Sequence, residues 1–133
     1  MNGIFDEFRG NVPADSWDID MAEQESGVRL PNEYVAFLKV RNGGEGFIGK
    51  DSYAIFWKVG DLRSMNSAYE VESYAPGLLV FGSDGGGEAY AVDYADPALP
   101  IVAVPFVGMD RGLVRKVGSN FDEFLNALAL VKS

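Results

Sequence analysis

Apolar residues recur every three or four positions in the first third of the chain, which is the spacing of one helical face. The first helix is predicted to begin after Asp15-Ser16-Trp17 and to run to Ser26. Asp15 or Ser16 can cap its amino terminus, because short polar side chains accept hydrogen bonds from the free N–H groups there. Gly27 can adopt the left-handed conformation that commonly ends a helix.

A second helix is predicted to begin at Pro31 and Asn32, since proline in the first turn loses no hydrogen bond. The segment Asn42-Gly43-Gly44 ends it. The last helix opens at Ser119, which forms a capping-box pattern with Asp122. Its apolar face follows the helical repeat and consists of Phe121, Phe124, Leu125, Leu128 and Val131.

Between these helices the period changes to two, as in strands. Phe47 and Ile48 begin one strand, and residues 52–59 form the next. Alternate residues of that strand lie on opposite faces. One face carries Tyr53, Ile55, Trp57 and Val59, and the other carries Ala54, Phe56 and Lys58. A third helix, which Asp61 can cap, is predicted to end before Pro76. Its apolar face consists of Leu62, Met65, Ala68 and Tyr69.

Further strands are predicted at residues 78–81, 88–94 and 101–107, with a short one at 113–117. Pro105 has no N–H group, which favours an edge strand or a bulge. Because the strands follow one another through short turns without intervening helices, the sheet should be mainly antiparallel. The sequence predicts an α+β fold with about four to six strands, N-terminal helices, and a C-terminal helix packed at the sheet's face and ends. We expect one domain over residues 1–133.

Composition narrows the possible functions. The 133 residues are 47% hydrophobic, and 20 acidic against 11 basic residues give a net charge of −9. Such a chain repels nucleic acid and anionic lipid, so neither is an expected partner. It contains no cysteine and no histidine, which removes thiolate and imidazole metal ligands and the usual near-neutral general base. We expect no enzyme activity, no metal and no cofactor.

The location of the protein is predicted from two absences in the sequence. The first ten residues are acidic and lack the basic and apolar regions of a signal peptide. The apolar runs at 77–81 and 101–107 are far shorter than a membrane span. A cytoplasmic protein is therefore expected.

The glycine-rich run at 82–87 is the first candidate for chemistry. A phosphate-binding loop would continue into lysine and a helix, whereas this run continues into Glu88 and a strand pattern, so a hairpin turn is favoured. Asp84, Glu88 and Asp93 could meet at one end of that hairpin and act as paired carboxylates. A solvated acidic surface and hard-cation binding are the alternatives, and the acidic segments lack the oxygen spacing of a calcium loop.

Aromatic residues on the predicted strands are a second candidate. Trp57 and its neighbours in the pattern could line a ligand pocket, although aromatic side chains at strand spacing more often form core. The residues concerned are Tyr53, Phe56, Tyr90 and Tyr94.

Charge is also segregated along the chain. Residues 64–110 hold seven acids and no lysine or arginine, and residues 6–25 hold seven acids against Arg9 alone. One interpretation is an acidic surface kept for solubility. The other is a face that steers a basic protein partner.

The segments Gly27-Val-Arg-Leu-Pro-Asn-Glu-Tyr-Val-Ala-Phe-Leu38 and Asn42-Gly-Gly-Glu-Gly46 resemble the opening signature of the SUKH superfamily, the Smi/Knr-type domain. Phe81-Gly-Ser-Asp-Gly-Gly86 with Tyr90-Ala-Val-Asp93, and the last helix, are similar to its later blocks, so the match spans about 20–130. The matched motif residues have structural roles: Leu30, Pro31, Tyr34, Phe37, Leu38, Asn42, Gly43, Gly44, Gly82, Gly85 and Gly86.

The resemblance implies a shared fold and a class of role. Bacterial members of the superfamily are mostly immunity proteins that bind and neutralise a toxin domain, often a nuclease, and others are interaction modules. We therefore predict a non-catalytic protein-binding domain whose partner is a basic toxin domain. The predicted contact residues are the carboxylates Asp84, Glu88, Asp93, Glu70 and Glu72.

Two other functions stay open on the sequence. One is a regulatory or scaffolding module of the same fold that binds a cell-wall or signalling protein. The other is a small-molecule binder or hydrolase built on Trp57, Tyr90 and the carboxylates, which without histidine or cysteine would need a carboxylate of strongly shifted pKa.

Overall fold

A computed structural model describes residues 3–130 and contains one seven-stranded sheet. Every neighbouring pair is antiparallel, and the spatial order of the strands equals their order in the chain. The strands are β1 (Glu7–Gly10), β2 (Gly44–Ile48), β3 (Ser52–Phe56), β4 (Leu78–Ser83), β5 (Glu88–Asp93), β6 (Ile101–Pro105) and β7 (Arg115–Gly118). The predicted α+β class is confirmed, with one strand more than the upper end of the predicted range.

Within the described part of the chain, five α-helices accompany the sheet: α1 (Ser16–Ser26), α2 (Asn32–Val40), α3 (Leu62–Ala68), α4 (Val71–Tyr74) and α5 (Phe121–Leu130). The predicted end of α1 and its cap at Asp15 are confirmed, and the helix begins at Ser16, earlier than predicted. The Asp15 carboxylate accepts from the Asp18 N–H at 2.9 Å in a capping box, and Gly27 ends the helix in the left-handed conformation. Val131, which we predicted on the face of α5, lies outside the described residues.

The two faces of the sheet are covered differently. The first face, here called the helix-covered face, packs against α1, α2 and α5 around a cluster of aromatic rings. The second, here called the outer face, is covered only over β4–β6, where Val71 of α4, Ala75 directly after that helix, and Met109 lie on apolar strand residues. Over β1–β3 the outer face meets solvent.

Strand β1 was missed by the sequence analysis. It pairs with β2, and glycines at 44 and 46 make the close approach possible, because an added Cβ would collide with the backbone of β1. Their spacing of two was the available signal. It was hidden because Gly44 had been assigned to the end of the second helix, which instead stops at Val40.

Several boundaries differ from prediction. Strand β3 stops at Phe56 because a 3₁₀ turn, Val59–Asp61, follows it. The third predicted helix is two helices, since Glu70 lies between them with φ of 53°, and Asp61 precedes the first without a side-chain cap. For α5 the predicted cap was one residue early: the Asn120 side chain, rather than that of Ser119, accepts the Glu123 N–H at 2.8 Å.

The proline prediction also needs correction. Strand β6 is interior, paired with both β5 and β7, so Pro105 is not on an edge strand. It is the last residue of β6, opposite Glu88 of β5 and beyond the residues of β6 that pair with β7. The missing N–H group therefore interrupts no hydrogen bond to β7.

Candidate functional site

The hairpin between β4 and β5 carries two of the predicted contact residues. It turns at the glycine-rich run as predicted, with Gly85 at φ of 80°. One oxygen of the Asp84 carboxylate accepts the N–H groups of Gly86, at 2.8 Å, and Glu88, at 3.2 Å. Asp84 therefore closes the turn. Glu88 forms an ion pair with Arg115 of β7, with 3.0 Å between Oε1 and Nη2.

Asp93 lies apart from these two residues. It is the last residue of β5 and pairs in register with Leu78, the first residue of β4, so it is at the open end of the hairpin. Only 6% of it is exposed. Both its oxygens accept from the Arg111 guanidinium, at 3.1 and 3.0 Å, and one also accepts the Ala95 N–H. These hydrogen bonds raise the pKa of Arg111 above its usual value.

The predicted meeting of Asp84, Glu88 and Asp93 at one end of the hairpin is therefore not what the structure has. Alternation along β5 places Glu88 on the helix-covered face with Tyr90, whereas Asp93 shares the outer face with Ala89 and Ala91. The remaining two predicted residues, Glu70 and Glu72, are exposed at the corner between α3 and α4.

A cleft of about 530 Å³ opens beside the hairpin turn. It forms because β3 pairs with β4 only through Ile55 and Phe56, so the first half of β3 diverges from the turn. Its polar lining includes Asp84, Tyr53 and Arg115, and its apolar lining is Val117, Phe124, Ala127 and Leu128. The Tyr53 hydroxyl donates a short hydrogen bond to the Glu45 carboxylate.

Two of the tyrosines, Tyr90 and Tyr94, have raised pKa values. Burial, with a smaller contribution from Asp84, raises the pKa of Tyr90 to about 12. Burial likewise raises the pKa of Tyr94, whose hydroxyl donates to the Arg29 carbonyl at 2.6 Å. Near neutral pH these phenols are hydrogen-bond donors rather than bases. Of the aromatic residues proposed for a ligand pocket, Phe56 belongs to the core and Tyr94 packs against it.

A row of aromatic residues on the outer face joins Trp57, which the sequence offered as a pocket residue, to two residues that it did not indicate as a site. The rings of Trp57 and Tyr69 stack with an interplanar angle of 2° and centroids 6.1 Å apart, and Tyr69 contacts Phe106 at 4.7 Å. These three residues, here called the aromatic border, lie where the covered half of the outer face meets the open half. The alternation along β3 was visible in the sequence, but not which face would stay open.

Several of the family motif residues lie in the core or tie segments of the chain together. Tyr34 and Leu38 are among the most buried side chains, and the Tyr34 ring contacts Phe81 and Phe121. Asn42 ties two segments together: its side-chain oxygen accepts the Val59 N–H at 2.8 Å, and its carbonyl accepts from the Asn11 side chain at 2.9 Å.

Within residues 3–130, no three side chains of the metal-binding types come together as a potential ion site. Over the same residues, no helix has both the length and the apolar character needed to cross a bilayer.

The antiparallel meander and the helices that pack against it define an α+β fold. The chain belongs to the SMI1/KNR4 family (SUKH-1), whose family model matches residues 13–127. This confirms the resemblance found in the sequence. No curated protein sequence gives a significant match. Family membership supports a non-catalytic protein-interaction domain.

Proposed function

We propose that this protein is a cytoplasmic immunity protein that binds a basic bacterial toxin domain and blocks its active site. A nuclease is the toxin class that fits best, because its substrate-binding cleft is cationic and an anionic protein competes with the nucleic acid for it. The observation that carries the proposal is the charge: −9 overall, with seven acids and no lysine or arginine between residues 64 and 110.

The placement of the acids supports some contact residues more than others. Glu70 and Glu72 are exposed on one corner and are available to pair with a partner's cations. Asp84 is half-buried and tied to backbone N–H groups, and Glu88 already pairs with Arg115. Asp93 is buried by its bidentate pair with Arg111. We therefore give the helical corner the main contact role and keep Asp84 and Glu88 as secondary contacts.

The test begins by searching the neighbouring genes for a toxin domain and continues with co-expression of that domain and this protein. Cells producing the toxin should survive when this protein is present, and the two purified proteins should form a complex. The double variant Glu70→Lys, Glu72→Lys should lose protection, since like charges across an interface are repelled. Asp20→Lys, Glu25→Lys makes the same change in charge on exposed positions of α1 and is the matched control.

Failure of both survival and complex formation with the unaltered protein would refute the immunity function. A stable complex with an endogenous cell-wall or signalling protein in its place would favour the regulatory module. Turnover of a small molecule that stops on neutralising one carboxylate would favour the hydrolase.

A further inference from the structure

We propose that the aromatic border (Trp57, Tyr69 and Phe106) is a docking surface for an arginine-bearing segment of a protein partner. The inference rests on the proposed function only in taking the partner to be a cationic protein. It specifies which surface binds and by what chemistry.

The first step is that these rings are accessible. Tyr69 is 44% exposed, and Trp57 and Phe106 are half-buried against the core of the outer face. They come from three separate segments: Trp57 directly follows β3, Tyr69 directly follows α3 and Phe106 directly follows β6. Their ring contacts join them into one row, and aromatic anchor residues are typical of protein interfaces.

The second step is that the apolar surface continues beyond the border. Ile55 and Tyr53 precede Trp57 on the same face of β3, and the Tyr53 ring contacts Phe47 of β2 at 5.2 Å. Each of these residues retains exposed surface, and Phe47 is 38% exposed. A contiguous apolar surface of this kind is characteristic of an interaction site.

The third step concerns the charge beside the rings. Glu70 follows Tyr69 directly and is exposed, as is Glu72. Arg111 is the cation of the loop that covers this face, and Asp93 neutralises it through two hydrogen bonds. On the open side, the basic residues Arg9 and Lys58 line one depression together with the acids Glu45 and Asp61. Glu72 lines a separate depression together with Arg63 of α3. The excess negative charge beside Tyr69 is therefore that of Glu70.

Aromatic rings beside carboxylates favour arginine over other side chains. A guanidinium stacks on an aromatic face and at the same time donates paired hydrogen bonds to a carboxylate, whereas lysine offers a compact charge. The protein already uses this stacking internally, since the Arg41 guanidinium lies 4.1 Å from the centre of the Phe5 ring. A second copy of this chain is a poor occupant, because two molecules of charge −9 repel each other.

The two tryptophans of the chain allow a direct test by NMR. Trp57 belongs to the border, whereas Trp17 is 68% exposed on α1, with acids at 15, 18 and 20 around it. The probe is a blocked tetra-arginine peptide, titrated into the ¹⁵N-labelled full chain, with tetra-lysine as the comparison. The indole N–H of Trp57 and the amides of Tyr69, Glu70 and Phe106 should shift and saturate, and the indole of Trp17 should not.

Variants separate stacking from general attraction. Tyr69→Ala should weaken tetra-arginine binding about three- to tenfold, the range expected for loss of one cation–π contact. Tyr74→Ala removes a 54% exposed tyrosine from the same acidic segment and should change binding less than twofold. Glu70→Asn, which removes the charge and suits the left-handed backbone, should weaken binding to a similar extent as Tyr69→Ala.

Equal shifts at Trp17 and Trp57, no shift at either, or equal affinity for the two peptides would overturn the proposal. So would a dimer in sedimentation that Tyr69→Ala dissociates, because the surface would then be occupied by a second copy. If protection from the toxin survives Tyr69→Ala with Glu70→Asn, this surface is wrong and the immunity function stands. If the unaltered protein gives no protection but binds tetra-arginine at Trp57, the immunity function is wrong and the docking surface stands.

Discussion

At the scale of single residues, the structure separates carboxylates that the sequence presents as equals. Asp93 is buried and paired, Asp84 closes a turn, and Glu70 is exposed. What distinguishes them is the partner each one meets. Arg111 lies 18 positions after Asp93 and Arg115 lies 27 after Glu88, so local patterns do not reveal these pairs.

The Asp93–Arg111 pair predicts unequal costs for its two members. Arg111→Met leaves a buried carboxylate without its cation and should lower the free energy of unfolding by about 2–3 kcal/mol. Asp93→Asn leaves a partly exposed guanidinium that water can solvate, and should cost about 1 kcal/mol. Urea unfolding of both variants measures the difference. Equal costs would show that the pair does not offset the burial of Asp93.

Tyr90 predicts a loss of stability in alkali. Its pKa is raised to about 12 in the folded protein, while the unfolded chain releases the proton near 10. The folded state thus binds more protons in this window, so its stability is intact below pH 10 and falls as pH rises toward 12. Tyr90→Phe should remove up to about 2 kcal/mol of that fall. Thermal unfolding from pH 8 to 12 checks this, with the exposed Tyr74→Phe as control. Parallel curves for both variants would contradict it.

At the scale of elements, contacts between segments decide where helices and strands stop. The alternation over 52–59 and the apolar repeat after Asp61 were real patterns, yet β3 ends early and the third helix divides at Glu70. The Asn66 side chain makes one such contact between segments. It accepts the Val80 N–H at 2.9 Å and donates to the Val80 and Leu62 carbonyls at 2.8 Å, which anchors α3 to β4.

Asn66 therefore predicts a coupling between helix docking and the aromatic border. Asn66→Asp places a carboxylate against two carbonyl oxygens and should destabilise the fold by about 2–4 kcal/mol. Because α3 carries Tyr69, the shift of its amide resonance on adding tetra-arginine should also shrink. The exposed Ser67→Asp, next along the same helix, adds the same charge and should change neither. Tyr69 contacts that persist in Asn66→Asp would mean that the border is held independently of α3 docking.

At the scale of the whole molecule, net charge governs encounter with a partner. Screening shortens the reach of charge from about 10 Å at 0.1 M salt to about 3 Å at 1 M. The association rate with the toxin domain should fall at least about tenfold over that range, while the dissociation rate changes little. Stopped-flow fluorescence at several salt concentrations measures both rates. An association rate independent of salt would remove the steering role of the acids.

Much of this molecule followed from short stretches of sequence. The caps of α1, the helical repeats, the glycine turn between β4 and β5 and the family signature depend on neighbours within a few residues, and each was found that way. Net charge is a sum over residues, so the acidic character of the protein also follows directly from the sequence.

Folding in three dimensions decided the rest, because it depends on residues distant in sequence. Strand β1 forms through its pairing with β2, and buried Asp93 pairs with Arg111, 18 positions further along the chain. The alternation of Tyr53, Ile55 and Trp57 with Ala54 and Phe56 does not indicate which face of the strand is buried. Three helices cover the face of Ala54 and Phe56. That asymmetry of cover leaves Trp57, Tyr69 and Phe106 together at the surface.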